Sequence, residues 1–506
     1  MIFFTLIQEI VKMMNWEVLL VLSISTCLGI TIGALPGLTA TMGIALLTGL
    51  TYKIPTSLAI PLLMGIYVGA IYGGSISAVL INIPGTGAAA ATALDGFPLA
   101  QKGEALTALN ATRWASGIGT AIGLFALIGF APLISRIAEK AFASPEFFLL
   151  AMFGIIICGS LTAGEKPIKG WIAGFMGIML SCVGIEEIHG YQRFVFGNPD
   201  LIGGIAFIPA MIGVFGIPQI IQTLRGGNAE FAIVEVDKEK DKGKLFRLLR
   251  MNMKNIIRSG ILGVGIGAIP GAGEDIAAWM SYDRAKKASK HPEEFGKGSY
   301  EGIIAAETAN NSCIGGAIIP LLTLAVPGSA PAAVLLGALY LHGIRPGPML
   351  SFEFPNFIYE MTAILFWATV ALFIYGLLLS KVMVKVLKVK PTILMPIVGV
   401  LCVIGAYAIG VNRFDILVMT VTGIIGYFLV EMGFPPAAFI LGAILGPLAD
   451  SNLRRTLLTY DGSLMPFVTR PISLIFTILI AVSILSQFKF WGKMWSKIRI
   501  KPKNSR

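Results

Sequence analysis

Two short motifs within apolar sequence each combine a proline, a glycine and a hydroxyl side chain. Their residues are Asn82, Pro84, Gly85 and Thr86 in the first motif and Pro327, Gly328 and Ser329 in the second. A Pro-Gly pair interrupts a helix and frees backbone N–H and C=O groups, which inside a membrane must be satisfied by protein, water or ligand. Because half-helix N-termini carry N–H donors and partial positive charge, we predict that these residues bind an anionic substrate. The alternative is a turn between packed helices, which the hydroxyl caps.

Two adjacent amides, Asn310 and Asn311, lie in a later apolar stretch. An amide can donate to a carboxylate or offer its oxygen to a cation, so we predict that both residues contribute to substrate binding. Hydrogen bonding between packed helices is the alternative role. Glu307 precedes Asn310 by three residues, which places both on one face of a helix. An ionisable group at membrane depth is a functional candidate, and Glu307 could bind Na⁺, carry a proton or hold a helix break together.

A second pair of breaks, Pro36-Gly37 and Pro270-Gly271, provides candidates for ion coupling, because unwound carbonyl groups suit Na⁺. The residues that we predict to couple an ion are Gly37, Gly271, Glu274, Glu307 and Thr323. Glu274 and its neighbour Asp275 could instead cap the half-helix that follows Gly271, and this is the favoured role of Asp275.

Signatures of enzymes and of metal sites are missing from the sequence. It has no H-E-x-x-H or G-x-S-x-G motif, and its histidines, His189, His291 and His342, are widely separated. It has no G-x-x-x-x-G-K-[ST] loop, so it carries no ATPase of its own. We therefore predict no catalytic residue and no cofactor or metal apart from a coupling Na⁺, with H⁺ as the other candidate ion. A channel or an integral-membrane enzyme is the alternative, since broken helices also line pores.

The elements that position these residues are membrane helices. Of the 506 residues, 55% are apolar and only 13% are charged, whereas soluble domains carry about 25% charged residues. A membrane span needs about 20 apolar residues, and the chain contains many such stretches, several of them cut by glycine and proline. The pattern predicts an all-α polytopic membrane protein with about 12 transmembrane helices, some broken or re-entrant at the Pro-Gly motifs.

The charged residues divide the chain into four parts. We predict a first membrane repeat at residues 1–224, a basic polar linker at 225–258, a second membrane repeat at 259–488 and a basic cytoplasmic tail at 489–506. The net charge of +11 lies mainly in the loops and the tail. Since short basic loops mark the cytoplasmic side of a membrane, this charge indicates topology, and we predict no binding to nucleic acid.

An internal repeat relates the two membrane parts. Gly33-Ala34-Leu35-Pro36-Gly37 matches Gly267-Ala268-Ile269-Pro270-Gly271, and Ile83-Pro84-Gly85-Thr86 matches Val326-Pro327-Gly328-Ser329. Between them, Gly73-Gly74-Ser75 matches Gly315-Gly316-Ala317, so the matches follow one another in the same order in both parts. Repeats of this size indicate a secondary transporter whose site lies where broken helices of the two repeats meet. The pattern leaves open whether the repeats are inverted or parallel.

These motifs resemble the TctA family, the large membrane subunit of bacterial tripartite tricarboxylate transporters. The similar stretches include Gly33-Ala34-Leu35-Pro36-Gly37, Tyr72-Gly73-Gly74-Ser75-Ile76-Ser77-Ala78, Asn82-Ile83-Pro84-Gly85-Thr86, Ile269-Pro270-Gly271-Ala272-Gly273, Ala309-Asn310-Asn311, Ile319-Pro320-Leu321-Leu322-Thr323-Leu324, Pro327-Gly328-Ser329 and Leu445-Gly446-Pro447-Leu448. The resemblance covers residues from about 20 to about 470.

The resemblance implies a function and a set of partners. The expected partners are a small membrane subunit of the transporter, an extracytoplasmic solute-binding protein, a small organic polyanion as substrate, and the lipid membrane. The expected activity is uptake of citrate-like tricarboxylates or related organic anions, driven by a Na⁺ or H⁺ gradient. The expected location is the bacterial inner membrane, which the chain would cross several times.

Overall fold

The computed structural model describes residues 2–157, 167–226, 234, 243–387, 389 and 391–487. The described residues confirm the all-α class: apart from one short antiparallel pair, β1 (Gly184–Ile185) and β2 (Gln192–Arg193), their regular elements are helices. Eight helical stretches in this part of the chain are long and apolar enough to cross a membrane. They are Trp16–Ala34, Thr56–Ile81, Gly87–Ala141, Phe207–Arg225, Phe357–Ser380, Thr392–Gly410, Arg413–Glu431 and Pro436–Thr459. The figure of about 12 spans exceeds these eight and stays a prediction.

The α-helices run through the chain as follows. They are α1 (Ile2–Lys12), α2 (Trp16–Ala34), α3 (Ala40–Thr51), α4 (Thr56–Ile81), α5 (Ala90–Leu99), α6 (Ala105–Ala141), α7 (Ser144–Ile157), α8 (Pro167–Ser181), α9 (Phe207–Arg225), α10 (Lys244–Met251), α11 (Met253–Gly267), α12 (Gly273–Ala288), α13 (Tyr300–Leu324), α14 (Ala330–Leu341), α15 (Leu350–Glu353), α16 (Phe357–Val386), α17 (Pro391–Gly410), α18 (Arg413–Glu431), α19 (Pro436–Thr459), α20 (Pro466–Thr469) and α21 (Pro471–Gln487). The described end of the polar linker, residues 243–258, is helical, whereas the basic tail at 489–506 lies outside the described residues.

The chain forms two compact units. One contains residues 1–140 and 205–431, and the other contains residues 141–204 and 432–506. All the predicted site residues belong to the first unit. In the second unit, α7 and α8 pack against α19, and Glu146 at the start of α7 is fully buried, where it accepts hydrogen bonds from Arg470 and Ser473 at 2.6 Å each.

The Pro36-Gly37 and Pro270-Gly271 motifs break helices in the first unit, as the sequence predicts. Helix α2 ends before the first motif and α3 begins after it, while α11 and α12 flank the second motif in the same way. Gly37 and Gly271 have φ angles of 89° and 75°. These left-handed conformations suit glycine, which has no Cβ to clash with the backbone.

The other two motifs follow helices that end in the same way. Asn82 caps the carboxyl end of α4, with φ 57° and ψ 24°, and Ala325 caps that of α13, with φ 58° and ψ 24°. Thr86 then precedes a short 3₁₀ helix at Gly87–Ala89 and α5, whereas Ser329 precedes α14. Each hydroxyl therefore stands at the amino end of a new helix.

The helices around these breaks pack through glycines at matching positions. A Cβ added at any of these glycines would lie within 2.6 Å of a backbone carbonyl oxygen, so only glycine permits the approach. The contacts are Gly29 to Ile66, Gly33 to Ala70, Gly73 to Ile30 and Gly85 to Gly33 in one set, and Gly263 to Ala309, Gly267 to Cys313, Gly316 to Val264 and Gly328 to Gly267 in the other. Each contact in the first set has its counterpart in the second. Within each pair of corresponding helices, corresponding residues differ by a constant number of positions in the sequence.

Two corresponding pairs of residues define this alignment. Gly33 in α2 corresponds to Gly267 in α11, and the remaining residues of the first segment pair with those of the second at the same offset in sequence. Ala70 in α4 likewise corresponds to Cys313 in α13, and the loops that follow these helices continue the alignment as far as Gly85 and Gly328.

This alignment pairs Gly73 with Gly316, one residue away from the match to Gly315 that the sequence motif indicates. The difference arises because Gly73-Gly74 and Gly315-Gly316 are both glycine pairs, so identity of residues does not fix the register. The contact with the carbonyl of the preceding helix does fix it.

Candidate functional site

A buried hydrogen-bonded group joins the Ser329 loop to two other helices. The Tyr67 hydroxyl, from α4, donates to the Glu274 carboxylate, from the first turn of α12, and lies 2.8 Å from the Ser329 hydroxyl. The exposed fractions of the three residues are 0%, 4% and 1%. The Gly273 N–H also donates to the Gly328 carbonyl at 3.1 Å, which ties the start of α12 to the loop.

This group brings together a predicted substrate residue, Ser329, and a predicted ion-coupling residue, Glu274. Tyr67 was not among the candidates from the sequence. A signal existed, because a tyrosine inside an apolar helix needs a partner for its hydroxyl. The sequence alone could not identify that partner, which lies 207 residues away.

The first Pro-Gly loop, residues 82–86, is only partly buried. Asn82 is exposed, Pro84 is partly buried, and Gly85 and Thr86 are buried. Among the described residues, the Thr86 hydroxyl has no hydrogen-bond partner although the residue is only 6% exposed. In the second loop, by contrast, the Ser329 hydroxyl also accepts from the Ala332 N–H and so caps α14.

Helix α12 reaches the first loop as well. A Cβ added at Gly87 would lie 2.3 Å from the Asp275 carboxylate, so this carboxylate rests against the backbone that follows Thr86. Gly87 and Asp275 both keep accessible surface. The amino end of α12 therefore contacts both Pro-Gly loops, through Asp275 on one side and Glu274 on the other. Asp275 lies in the first turn of α12, the position that its predicted capping role requires.

Glu307 belongs to a different polar group. It is fully buried in α13 and accepts hydrogen bonds from Thr92 in α5, at 2.5 Å, and from Ser116 in α6, at 2.9 Å. Asn311 donates to the Glu307 carbonyl at 3.1 Å and to the Asn310 side-chain oxygen at 2.5 Å. Glu307 thus connects three helices, and the two asparagines bond to each other next to it.

Two further candidates have local roles in the structure. Thr323 is fully buried and its hydroxyl donates to the Ile319 carbonyl one turn earlier, at 2.8 Å. Gly37 lies against the side chain of Thr223 in α9, whose hydroxyl a Cβ at Gly37 would approach to 2.4 Å. These contacts place neither residue beside Glu274.

Asp95 is a framework residue of this region that did not enter the predicted site. Its fully buried carboxylate accepts from the backbone N–H groups of Gly296, Gly298 and Ser299 at 2.7 to 2.9 Å and from the Tyr282 hydroxyl at 2.8 Å. It therefore fixes α5 to α12 and to the loop before α13.

Within the described residues, the acids at the site have no basic side chain as an ion-pair partner. In the part of the chain that the structure describes, no lysine, arginine or histidine forms an ion pair with Glu274, Asp275 or Glu307. No group of three or more His, Cys, Asp or Glu side chains among those residues could hold a metal ion. A buried carboxylate is costly unless it binds a proton or a cation, so the burial of Glu274 and Glu307 favours uptake of one or the other.

Comparison with known proteins gives matches over most of the chain. A family model described as the tripartite tricarboxylate transporter TctA family matches residues 19–441. An uncharacterized 52.8 kDa protein in the TAR-I ttuC′ 3′ region of Agrobacterium vitis is 36% identical over 456 residues, which cover 89% of each chain. An uncharacterized protein in the TAR-II ttuC′ 3′ region of the same organism is 38% identical over 208 residues, covering 41% of this chain and 86% of that protein. No solved structure matches the chain.

Proposed function

This chain belongs to the TctA family of tripartite tricarboxylate transporters, and on that basis we propose that it is the permease subunit of a secondary active transporter. It imports a citrate-like tricarboxylate or a related small organic anion, and a Na⁺ or H⁺ gradient drives the uptake. Its partners are a small membrane subunit and an extracytoplasmic binding protein that delivers the substrate. It works in the bacterial inner membrane.

The observation that carries this proposal is the position of α12 between the two Pro-Gly loops. The loops offer hydroxyl groups and helix amino ends, which suit carboxylates. Helix α12 presents Glu274 to one loop and Asp275 to the other, with no basic side chain paired to either among the described residues. These two acids repel a polyanion, so a proton or Na⁺ binds with it. This requirement is a physical basis for symport.

The proposed substrate residues remain Asn82, Pro84, Gly85, Thr86, Asn310, Asn311, Pro327, Gly328 and Ser329. Among the proposed ion-coupling residues, Glu274 has the strongest support, because it lies in the first turn of α12 beside Ser329. Glu307 has less support, because its carboxylate is already bonded to two hydroxyl groups on separate helices.

We also propose that the chain contains two homologous repeats within about 12 spans. The recurrence of the glycine contacts at constant separations, and the nearly identical left-handed ends of α4 and α13, support this proposal. The two compact units each draw on both halves of the sequence, as expected when repeated segments intertwine.

Reconstitution in liposomes tests the proposed function. The protein is reconstituted with its small membrane subunit and supplied with the binding protein and radiolabelled citrate, isocitrate, malate or succinate. We expect saturable uptake of at least one acid that requires both the binding protein and an inward Na⁺ or H⁺ gradient. If no acid moves under either gradient, the proposal fails. Unsaturable flux without the binding protein would indicate a channel, and chemical conversion of the acid would indicate an enzyme.

A further inference from the structure

The Tyr67–Glu274–Ser329 group has a counterpart at the corresponding positions of the repeated helices. The glycine contacts align α2 and the turn after it with α11 and its turn, and they align α4 and its loop with α13 and its loop. Continued through these segments, the alignment relates Ser329 to Thr86 and Tyr67 to Asn310. It relates Glu274 to Ala40, the first residue of α3.

The counterpart differs from the original group in one chemical respect. Two of its members are still polar, since Thr86 replaces a serine and Asn310 replaces a tyrosine. The third is an alanine, so α3 has no carboxylate at its amino end where α12 has one. In agreement, the Thr86 hydroxyl has no partner among the described residues, whereas the Ser329 hydroxyl bonds to Tyr67 and to the Ala332 N–H.

We propose that a carboxylate of the substrate binds between Thr86, Asn310 and the amino end of α3, in the place where the second half holds the carboxylate of Glu274. The hydroxyl, the amide N–H₂ and the N–H groups of Ala40 and Thr41 in the first turn of α3 are donors of the kind that bind an anion. The Met42 N–H of that turn already donates to the Thr39 side chain. The inference rests on the proposed function and makes it more specific. This one carboxylate of the substrate binds at the first loop, and at the second loop Glu274 of the protein occupies the corresponding place.

A cation at Thr86 is the competing interpretation, because the Asn311 side-chain oxygen also has no partner among the described residues. The correspondence between the halves favours the carboxylate. In the group around Ser329, a carboxylate of the protein itself accepts from Tyr67, the counterpart of Asn310, beside the hydroxyl that corresponds to Thr86. Asn311, in contrast, corresponds to Val68, so the second group offers no comparable oxygen.

The decisive variant is Ala40→Glu, which gives α3 the acid that α12 has. We expect the new carboxylate to take the place of the substrate, so that the KM for citrate in the reconstituted complex rises at least tenfold. The matched control is Ser57→Glu, which adds the same side chain to the first turn of α4 at an exposed position, at the opposite end of that helix from the loop that holds Thr86. We expect the KM of this control to stay within threefold of the wild type.

A second pair of variants keeps the test valid if Ala40→Glu does not fold. Thr86→Val preserves the shape of the side chain and removes the hydroxyl, and we expect it to weaken binding of radiolabelled citrate to the purified complex at least tenfold. Thr86→Ser keeps the hydroxyl and should bind citrate more tightly than Thr86→Val does. Melting temperatures in detergent show which variants are folded.

The outcomes separate this inference from the proposed function. A wild-type complex that binds and transports citrate, together with folded Ala40→Glu or Thr86→Val variants that match it, overturns the inference alone. If Thr86→Val changes the Na⁺ concentration for half-maximal uptake but not the KM for citrate, a cation binds at Thr86 and the inference is again wrong. A wild-type complex that neither binds nor moves any of the four acids overturns the proposed function and the inference with it.

Discussion

Tyr67 links the two halves of the chain at the candidate site, because its hydroxyl contacts both Glu274 and Ser329. A buried carboxylate that loses its donor is left poorly solvated, at a cost of about 1.5–3 kcal/mol for a hydrogen bond to a charged group. The side chain itself comes from a helix whose other residues are mostly apolar, so the hydroxyl is the feature that distinguishes this position.

We predict that Tyr67→Phe lowers the initial rate of substrate uptake at least tenfold, because Glu274 loses its donor where proton or cation binding is proposed. Uptake by proteoliposomes measures the effect. Tyr72→Phe is the matched control, since Tyr72 lies in the same helix and is equally buried, and within the described residues its hydroxyl donates to the Gly376 carbonyl at 3.5 Å. Equal losses in the two variants would show that the contact with Glu274 has no special role.

Glu307 illustrates how one residue type serves different purposes at membrane depth. The sequence predicts a functional role for it and for Glu274 on the same grounds, as acids in apolar sequence. The structure gives Glu307 two hydroxyl donors from α5 and α6, whereas it places Glu274 beside a Pro-Gly loop. Their surroundings, rather than their chemistry, distinguish the two acids.

At the scale of elements, the glycines of α2, α4, α11 and α13 determine how the broken helices pack. In membranes, small residues allow helix backbones to approach closely, and dispersion and weak hydrogen bonds then stabilise the pair. A methyl group at Gly267 would lie 2.4 Å from the Cys313 carbonyl oxygen, which is too close for any side chain. The packing of α11 on α13 therefore depends on this position.

We predict that Gly267→Ala destabilises the protein by at least about 2 kcal/mol, because the added carbon overpacks the contact with α13. Gly265→Ala is the matched control in the same helix, where a Cβ would meet nothing within 4 Å. It should be neutral or stabilising by up to about 1 kcal/mol, since alanine favours a helix more than glycine does. Thermal unfolding in detergent gives both values. Similar melting temperatures for the two variants would contradict the importance of the close approach.

At the scale of the whole molecule, segments far apart in the sequence form each compact unit. The second unit joins residues 141–204 to residues 432–506. Glu146 and Arg470, which are 324 residues apart, connect these segments through a hydrogen bond of 2.6 Å, and Glu146 also accepts from Ser473. The carboxylate is fully buried, so it depends on these partners.

We predict that Arg470→Ala destabilises the protein by about 3–5 kcal/mol, because it leaves the buried Glu146 carboxylate without its cationic partner. The loss should appear as a lower melting temperature in detergent. Asp283→Asn, which disrupts the exposed pair of Asp283 and Lys287, is the control and should change stability by less than about 1 kcal/mol. Comparable effects of the two changes would mean that the buried pair does not hold the second unit together.

The sequence by itself determined that the chain lies in a membrane, that it is helical and where its helices break. Hydropathy depends on each side chain alone, and a Pro-Gly pair acts on its own backbone, so both can be read without knowledge of the fold. The internal match between the halves also pointed to paired loops, and Ser329 and Glu274 were both among the predicted site residues.

Only the tertiary structure decided which polar groups meet. Tyr67 and Glu274 are 207 residues apart, and Thr92 and Glu307 are 215 residues apart. Those contacts depend on how several helices pack together, and no local property of the chain encodes the direction in which a buried hydroxyl points. For the same reason the sequence grouped Glu307 and Thr323 with Glu274, whereas the packing gives Glu307 a link between three helices and Thr323 a bond within its own helix.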